Sequence, residues 1–368
     1  MSNKLTRIAL VCFFELYPVN NGASEVIVSL YNCLKAPKKI FYIKSLENKI
    51  YKLFNNITLN YLNFFYKILS ILKIFFLLKR YFYNKKKTVI FVEGASWIGF
   101  SFLLIFLAKR FIKDCIIIYH SHNIEYDLRK QKKSSFLICI LTKFLEKIVF
   151  KISDYKTVVS EIDQKRVYNL YKIKPLILEN GIDKNRLKIN KKFNHPNEFI
   201  IFSGSYEFFP NQQAINKLTY RIMPNILKKY PRIKLIITGK GLPDNIKNKK
   251  FIIYYNYLPK NKLIYLIKKS RFVLFPFKES PGTKLKVIES LMLGSTVIST
   301  KDSLRGISYN RTLKSPIIYK NYKDMYAAID KTMYSKINTK IIKEFYTKKF
   351  SMQNIFSKLK KEQIINVF

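Results

Sequence analysis

Acidic residues are scarce in this chain: 23 aspartates and glutamates stand against 68 lysines and arginines, a formal net charge of +45 over 368 residues. Glycine (10), tryptophan (1), histidine (3) and cysteine (4) are scarce too, while lysine, asparagine, isoleucine, tyrosine and phenylalanine abound, the bias of an AT-rich coding sequence. Part of the charge is therefore compositional; the remainder still concentrates polyanions or draws the protein toward anionic lipid head groups. Nucleic acid is not the expected partner, because zinc-ligand spacings, an RNP-like aromatic signature and a basic-region zipper are all missing. Cys12, Cys33, Cys115 and Cys139 have no paired spacing, which points to buried, reduced thiols of a cytosolic protein rather than a disulfide framework. The opening MSNKLTRIALVCFF offers only a short apolar strand before Glu15, unlike a signal peptide. A hydrophobic content of 48% excludes a disordered chain, and the length predicts two domains.

Long uncharged runs are also lacking. Residues 61–83 are apolar and aromatic, but Lys67, Lys73, Lys79 and Arg80 interrupt them, and Lys73 sits where a spanning helix of about 20 residues tolerates no charge. An interfacial amphipathic element or a core helix both suit this pattern. Residues 94–110 carry no basic residue until Lys109, a length that predicts a buried helix. Strand and helix signals alternate elsewhere. Strands are expected at 7–13, 40–43, 88–92, 115–119, 155–159 and 176–178, then, after Asn180-Gly181, at 199–202, 234–238 and 251–254, with helices at 212–229 and 263–269. This predicts two doubly wound α/β domains in series, 1–180 and 181–345, with a final helical segment, 346–368, returning to the first. Ligands of such sheets bind outside the carboxyl ends of the strands.

The most informative segment is 272–307. It reads as a strand (272–275), a Pro281-Gly282 turn, a helix from about Thr283 and a strand at 296–300. At 100° per residue Thr283, Lys286, Glu289 and Ser290 share one helix face, and Leu285, Ile288, Leu291 and Met292 the other. A cation and a carboxylate thus point the same way beside a helix N-terminus that attracts anions. Phosphate near Gly282–Lys286 and vicinal hydroxyls near Glu289 would use every one of these groups, and a nucleoside-diphosphate sugar has that shape. A solvated face with an i,i+3 ion pair is the plainer reading.

The flanking sequence favours the ligand. GTKLKVIESLMLGSTVIST followed by Gly306-Ile307 resembles the donor-site segment of GT-B glycosyltransferases of the large family 4 type. The resemblance implies that Glu289 receives the ribose hydroxyls and Lys286, with Gly282, Thr283 and Lys284, the diphosphate. Where the family has a second acidic residue eight positions earlier, this chain has Pro281, with Glu279 two residues away. GSYEFFPNQQAI resembles the loop that opens the second domain, so Gly204 and Ser205 would also face the diphosphate, although the family's following arginine is absent. ITGKG, with Gly239, resembles another donor-side turn, and Leu258-Pro259 follows a strand where the family holds contacts to the base.

In the first half, IIIYHSHNIEYDLRK delivers His120 and His122 to a strand's carboxyl end, both on one face. A His-x-His pair could bind metal, but no Asp, Cys or third His at useful spacing completes a site. The segment resembles the family's HNxE motif, which places His122 at the transferred sugar or acceptor, with His120, Asn123 and Glu125 shaping the cleft. Histidines merely satisfied at a strand end are the alternative. Asn20-Asn21-Gly22 precedes a helix at 23–34, and Gly22 with Glu25 resembles the family's acceptor-side glycine loop, reduced to one glycine. SDYKTVVSE and LENGID match further family segments.

The fold expected is two Rossmann-like doubly wound domains facing a central cleft, the GT-B plan. The resemblance implies a retaining hexosyltransferase, with His122, Glu289 and Lys286 carrying catalysis, that moves a sugar from a nucleotide sugar to a surface-glycan or lipid-linked acceptor. It implies no cofactor and no metal, in keeping with the absence of any Asp-x-Asp pair. The expected location is the cytoplasm, peripheral on the inner face of the membrane. A nucleotide-sugar epimerase of the same plan and a non-catalytic basic protein binding membrane or polyanion are the alternatives.

Overall fold

The protein is described from a computed structural model covering residues 7–19, 21–44, 56–83, 88–131, 133–189, 191–278, 282–334 and 339–361. Asn20, Glu279 and Pro281, all invoked above, lie outside the described residues. The chain divides into two compact units: residues 1–180 with 355–368, and residues 181–354.

The first unit is built on a parallel sheet of β1 (Arg7–Cys12), β2 (Lys38–Tyr42), β3 (Thr88–Gly94), β4 (Cys115–Ser121), β5 (Tyr155–Val158) and β6 (Leu176–Ile177), in the order β2-β1-β3-β4-β5-β6. Strand β3 is buried along its whole length and β4 at all but one residue, as expected of strands covered by helices on both faces. The order reverses between β1 and β3, so a crevice opens at the carboxyl ends of these strands. Helix Ile98–Phe111 packs between helices Asn56–Tyr81 and Phe136–Ile152. Its inner side fills the core through Leu104, Ile105 and Ala108, but Phe106 and Phe111 stand half-exposed, so the helix is not wholly buried as its composition predicts.

The second unit holds two parallel three-stranded sheets: β7 (Phe199–Ser203), β8 (Lys234–Thr238) and β9 (Ile252–Tyr255), and β10 (Val273–Phe275), β11 (Val297–Ser299) and β12 (Ile317–Ile318). β7 and β10 lie side by side, and the Arg271 N–H donates to the Phe199 carbonyl at 2.9 Å. Their apolar residues join one core. The chain order therefore also reverses between β7 and β10, a second switch point. The single helix expected at 212–229 is three pieces: Phe209–Lys217, a π-helical turn Leu218–Ile222, and Met223–Lys229. Pro224 has no N–H to continue the i→i−4 ladder, which accounts for the break.

The boundary read at 345 falls inside helix Thr339–Phe350. That helix packs on helix Leu285–Met292, with Tyr346 and Phe350 in the second unit's core, so the return to the first unit comes later, at Ile355. Before it, Ile182 and Ser351 form a parallel bridge, and the Gln353 amide donates to Asp183 at 2.6 Å.

Candidate functional site

In the second unit the residues at the β7–β10 switch point converge. Lys286 donates to the Ser203 carbonyl at 2.5 Å and to Asn211 Oδ1 at 2.9 Å, and its Nζ lies 4.9 Å from the centroid of the Phe202 ring. Burial, with Lys284 beside it, pushes the Lys286 pKa down to about 7; burial and Arg305 push Lys284 down to about 8. Lys284 caps its own loop by donating to the Gly282 carbonyl at 2.7 Å. Two lysines, one at the N-cap and one in the first turn, are thus partly discharged, a state that a dianion would reverse.

The glycines are required by space. Gly204 (φ +153°) has Asn211 and Lys286 Nζ where a Cβ would stand, each at 2.6 Å, and a Cβ on Gly239 (φ +138°) would meet the Gly204 carbonyl carbon at 2.4 Å. The β7 and β8 turns therefore pass backbone against backbone, and the Gly204 N–H donates to Thr238 at 2.7 Å. Ser205 bonds Lys240 and Glu207 through its hydroxyl, while its carbonyl accepts from Asn211 at 2.9 Å.

The helix begins at Leu285 rather than Thr283, so Thr283 and Lys284 lie in the approach and Gly282, at φ +70°, turns the chain into it. Lys284 is the N-cap without a side-chain capping bond. The expected polar stripe is not solvated: Glu289 is 6% and Ser290 1% exposed. Ser290 folds back on the Lys286 carbonyl at 2.8 Å, and Glu289 forms a close ion pair with Lys260, the first residue of helix Lys260–Lys269. Sequence reasoning missed Lys260 and Asn211. Asn211 sat within a recognised segment; Lys260 directly follows Leu258-Pro259, but nothing in its spacing signals Glu289.

In the first unit, β3 and β4 align Glu93 with His120. The three donor atoms offered by Glu93, His120 and His122 lie within 4.8 Å of one another, all buried. His122 Nε2 is 2.7 Å from Glu93 Oε2, and His120 Nδ1 is 2.7 Å from the Thr157 hydroxyl. The histidine rings stand edge to face at 4.6 Å. Burial, with His122 adjacent, drives the His120 pKa well below its ordinary value, so that ring is neutral. The sequence reading that nothing completes the histidine pair is corrected here: the third group is Glu93, hidden because parallel pairing brings it in from another strand. One carboxylate and two imidazoles suit either a metal or a hydrogen-bonded relay. Among the described residues Glu93 Oε1 has no hydrogen-bond partner.

Asn123 and Glu125 follow directly. The Ser121 hydroxyl donates to the Asn123 carbonyl at 2.8 Å, and Glu125 opens helix Glu125–Gln131 with Arg129 3.4 Å from its carboxylate. The N-terminus of that helix is held by Glu146, which accepts from the Glu125 N–H at 2.7 Å, the Tyr126 N–H at 3.3 Å and the Tyr171 hydroxyl at 2.6 Å. Burial raises the Glu146 pKa to about 7. Gly22 starts helix Gly22–Cys33, and Asn21 caps it by accepting from the Ser24 N–H at 2.9 Å, which satisfies one of the N–H groups that a helix start leaves without an intrahelical partner.

Residues 197–333 match the family model Glycosyl transferases group 1. A search of curated proteins finds no match. Among solved structures the chain is similar to sucrose-phosphate synthase from Thermosynechococcus elongatus (11% identity, TM-score 0.67, covering 98% of this chain and 99% of that one). It is also similar to HepE of Anabaena in complex with UDP and glucose (10%, TM-score 0.64, 97% and 99%). A third likeness is to a glycosyltransferase from Rickettsia africae (14%, TM-score 0.63, 100% and 99%). The chain therefore has the GT-B fold and carries, over residues 197–333, a Glycosyl transferases group 1 domain.

Proposed function

We propose that the chain is a retaining glycosyltransferase that moves a hexose-type unit from a nucleoside-diphosphate sugar to a surface-glycan or lipid-linked acceptor. The observation that carries this reading is the lysine site at the β7–β10 switch point: a half-buried Lys286 discharged toward pKa 7, closed by two glycines that admit no side chain. A diphosphate there recharges Lys286 and Lys284, and the first-turn N–H groups of helix Leu285–Met292 add to the field on the leaving group. Glu289 exchanges Lys260 for the ribose hydroxyls. His122, oriented by Glu93 on Nε2, presents Nδ1 to the sugar or acceptor hydroxyl, and His120, Asn123, Glu125 and Gly22 line the acceptor side. The lysines neutralise the diphosphate without a metal. Because HepE is described with UDP and glucose, UDP-glucose is the first donor to test.

Thermal shift against UDP-, GDP-, ADP- and dTDP-sugars tests the donor site: saturation at about 100 times Kd adds roughly 2.7 kcal/mol. Nucleoside diphosphate released only with an acceptor supports transfer. Isomerised donor without an acceptor would make the protein an epimerase, and a flat panel would remove enzyme chemistry from this site.

A further inference from the structure

Three neighbouring helices of the first unit form an outer layer whose composition is unusual for a surface. Helices Asn56–Tyr81, Ile98–Phe111 and Phe136–Ile152 carry nine lysines and arginines and a single acid, Glu146, which is fully buried. Their outward side shows large apolar groups instead. Phe136 and Leu137 are 78% and 76% exposed, and Ile138, Ile140, Leu141 and Phe144 follow, so the first turns of the third helix are apolar and uncovered nearly all round. Phe106 on the middle helix and Phe65, Leu69 and Phe76 on the first extend the layer. Lys143, Lys147 and Lys151 stand exposed on the helix that bears Phe136, and Lys73, Lys79 and Arg80 on the first.

Scattered exposed apolar residues are ordinary; a run of this kind marks an interaction surface. The charge selects the occupant. A protein partner would have to meet helices that bear no exposed acid of their own, the nearby Asp154 being paired with Lys109, whereas an anionic bilayer offers hydrocarbon for Phe136, Leu137, Leu141 and Phe144 and phosphate for the lysines beside them. No helix among the described residues is long and apolar enough to cross a membrane, so the contact is with one leaflet. We infer that this layer docks on an anionic membrane surface, with the N-terminal turns of helix Phe136–Ile152 as the inserted element. Residues 61–83 are a flank: Ile71, Phe75 and Leu78 are committed to the core, and Lys67 is half-buried with its Nζ 5.6 Å from the Phe100 ring centroid. The inference deepens the proposed function by bringing a lipid-linked acceptor within reach, and it is tested without donor or acceptor, so either can fail alone.

The test is sedimentation of the full chain with phosphatidylcholine vesicles and with mixed phosphatidylcholine/phosphatidylglycerol vesicles. Binding is expected to the anionic vesicles only, falling at least tenfold as ionic strength rises from about 0.1 to 1 M and the Debye length shrinks from about 10 to 3 Å. Leu137→Ser with Leu141→Ser and Phe144→Ser, exposed positions whose variants are checked for unchanged thermal unfolding, should abolish binding; Phe65→Ser with Leu69→Ser and Phe76→Ser should weaken it only several-fold. Equal binding to both vesicles, or full binding by the first variant, overturns the inference. So does a self-associated wild type that this variant converts to monomer without loss of vesicle binding, which would make the face an interface between copies.

Discussion

In the proposed donor site Lys286 sets the pH behaviour. Free, it loses its proton near pH 7; a bound diphosphate holds it charged to higher pH, so binding takes up a proton between the two pKa values. Affinity for UDP should therefore fall as pH rises above about 7, by up to tenfold per unit until Lys284 also loses its proton near 8, with proton uptake visible as a buffer-dependent heat in calorimetry. Lys286→Arg should flatten that slope. Glu289→Gln should lose about 1.5–3 kcal/mol of donor binding while the protein stays folded, whereas Lys260→Met, which frees the Glu289 carboxylate, should leave it intact or improved; unchanged calorimetric affinity in Glu289→Gln would take this residue out of the site. In the first unit His122→Ala and Glu93→Gln should each lower turnover about 100-fold with donor affinity unchanged, and His120→Ala should do less. Equal, small effects of all three would leave the histidines as strand-end packing.

At the scale of elements, the apolar strands were legible because a parallel sheet buries both faces of each strand, and 234–238 was read to the residue. The errors have local causes. Thr283 reads as a helix start because it precedes the amphipathic run, but Gly282 turns the chain into an extended Lys284 and delays the helix to Leu285. The functional pairs are a harder matter: Lys260 with Glu289, Asn211 with Lys286, and Glu93 with His122 all join different elements, and their spacing in the chain carries no trace of the pairing. What the chain did show was Lys286 near a helix start with Glu289 on the same helix face, and His122 past a strand end. The glycine contact between the β7 and β8 turns makes a prediction at this scale. Gly239→Ala must displace the Gly204 backbone, so it should cost about 1–3 kcal/mol of stability and lower donor affinity tenfold or more, measured by denaturant unfolding and calorimetry; an unaffected donor affinity would show that the Gly204 turn makes no phosphate contact.

The whole molecule shares the GT-B plan with proteins at 10–14% identity, so its architecture survives a sequence drifted toward lysine and asparagine, while the two-unit order was readable from strand alternation and the restart at Gly181. The later boundary was not, because the aromatic residues of Thr339–Phe350 look the same in sequence whichever core receives them. Activity should persist through dialysis against EDTA if, as proposed, lysines meet the diphosphate; reversible loss, restored by zinc, would instead assign an ion to Glu93, His120 and His122. Helix Phe136–Ile152 ties the scales together, for one end bears the uncovered Phe136 and Leu137 while Glu146, further along, holds the helix that presents Glu125. Ten residues of α-helix span about 15 Å. The element is a ruler: it sets an upper limit of about that height for Glu146 above the point where the chain would meet lipid, so in the proposed function an acceptor whose reactive hydroxyl lies much farther from its lipid anchor would be passed over for reasons of reach alone.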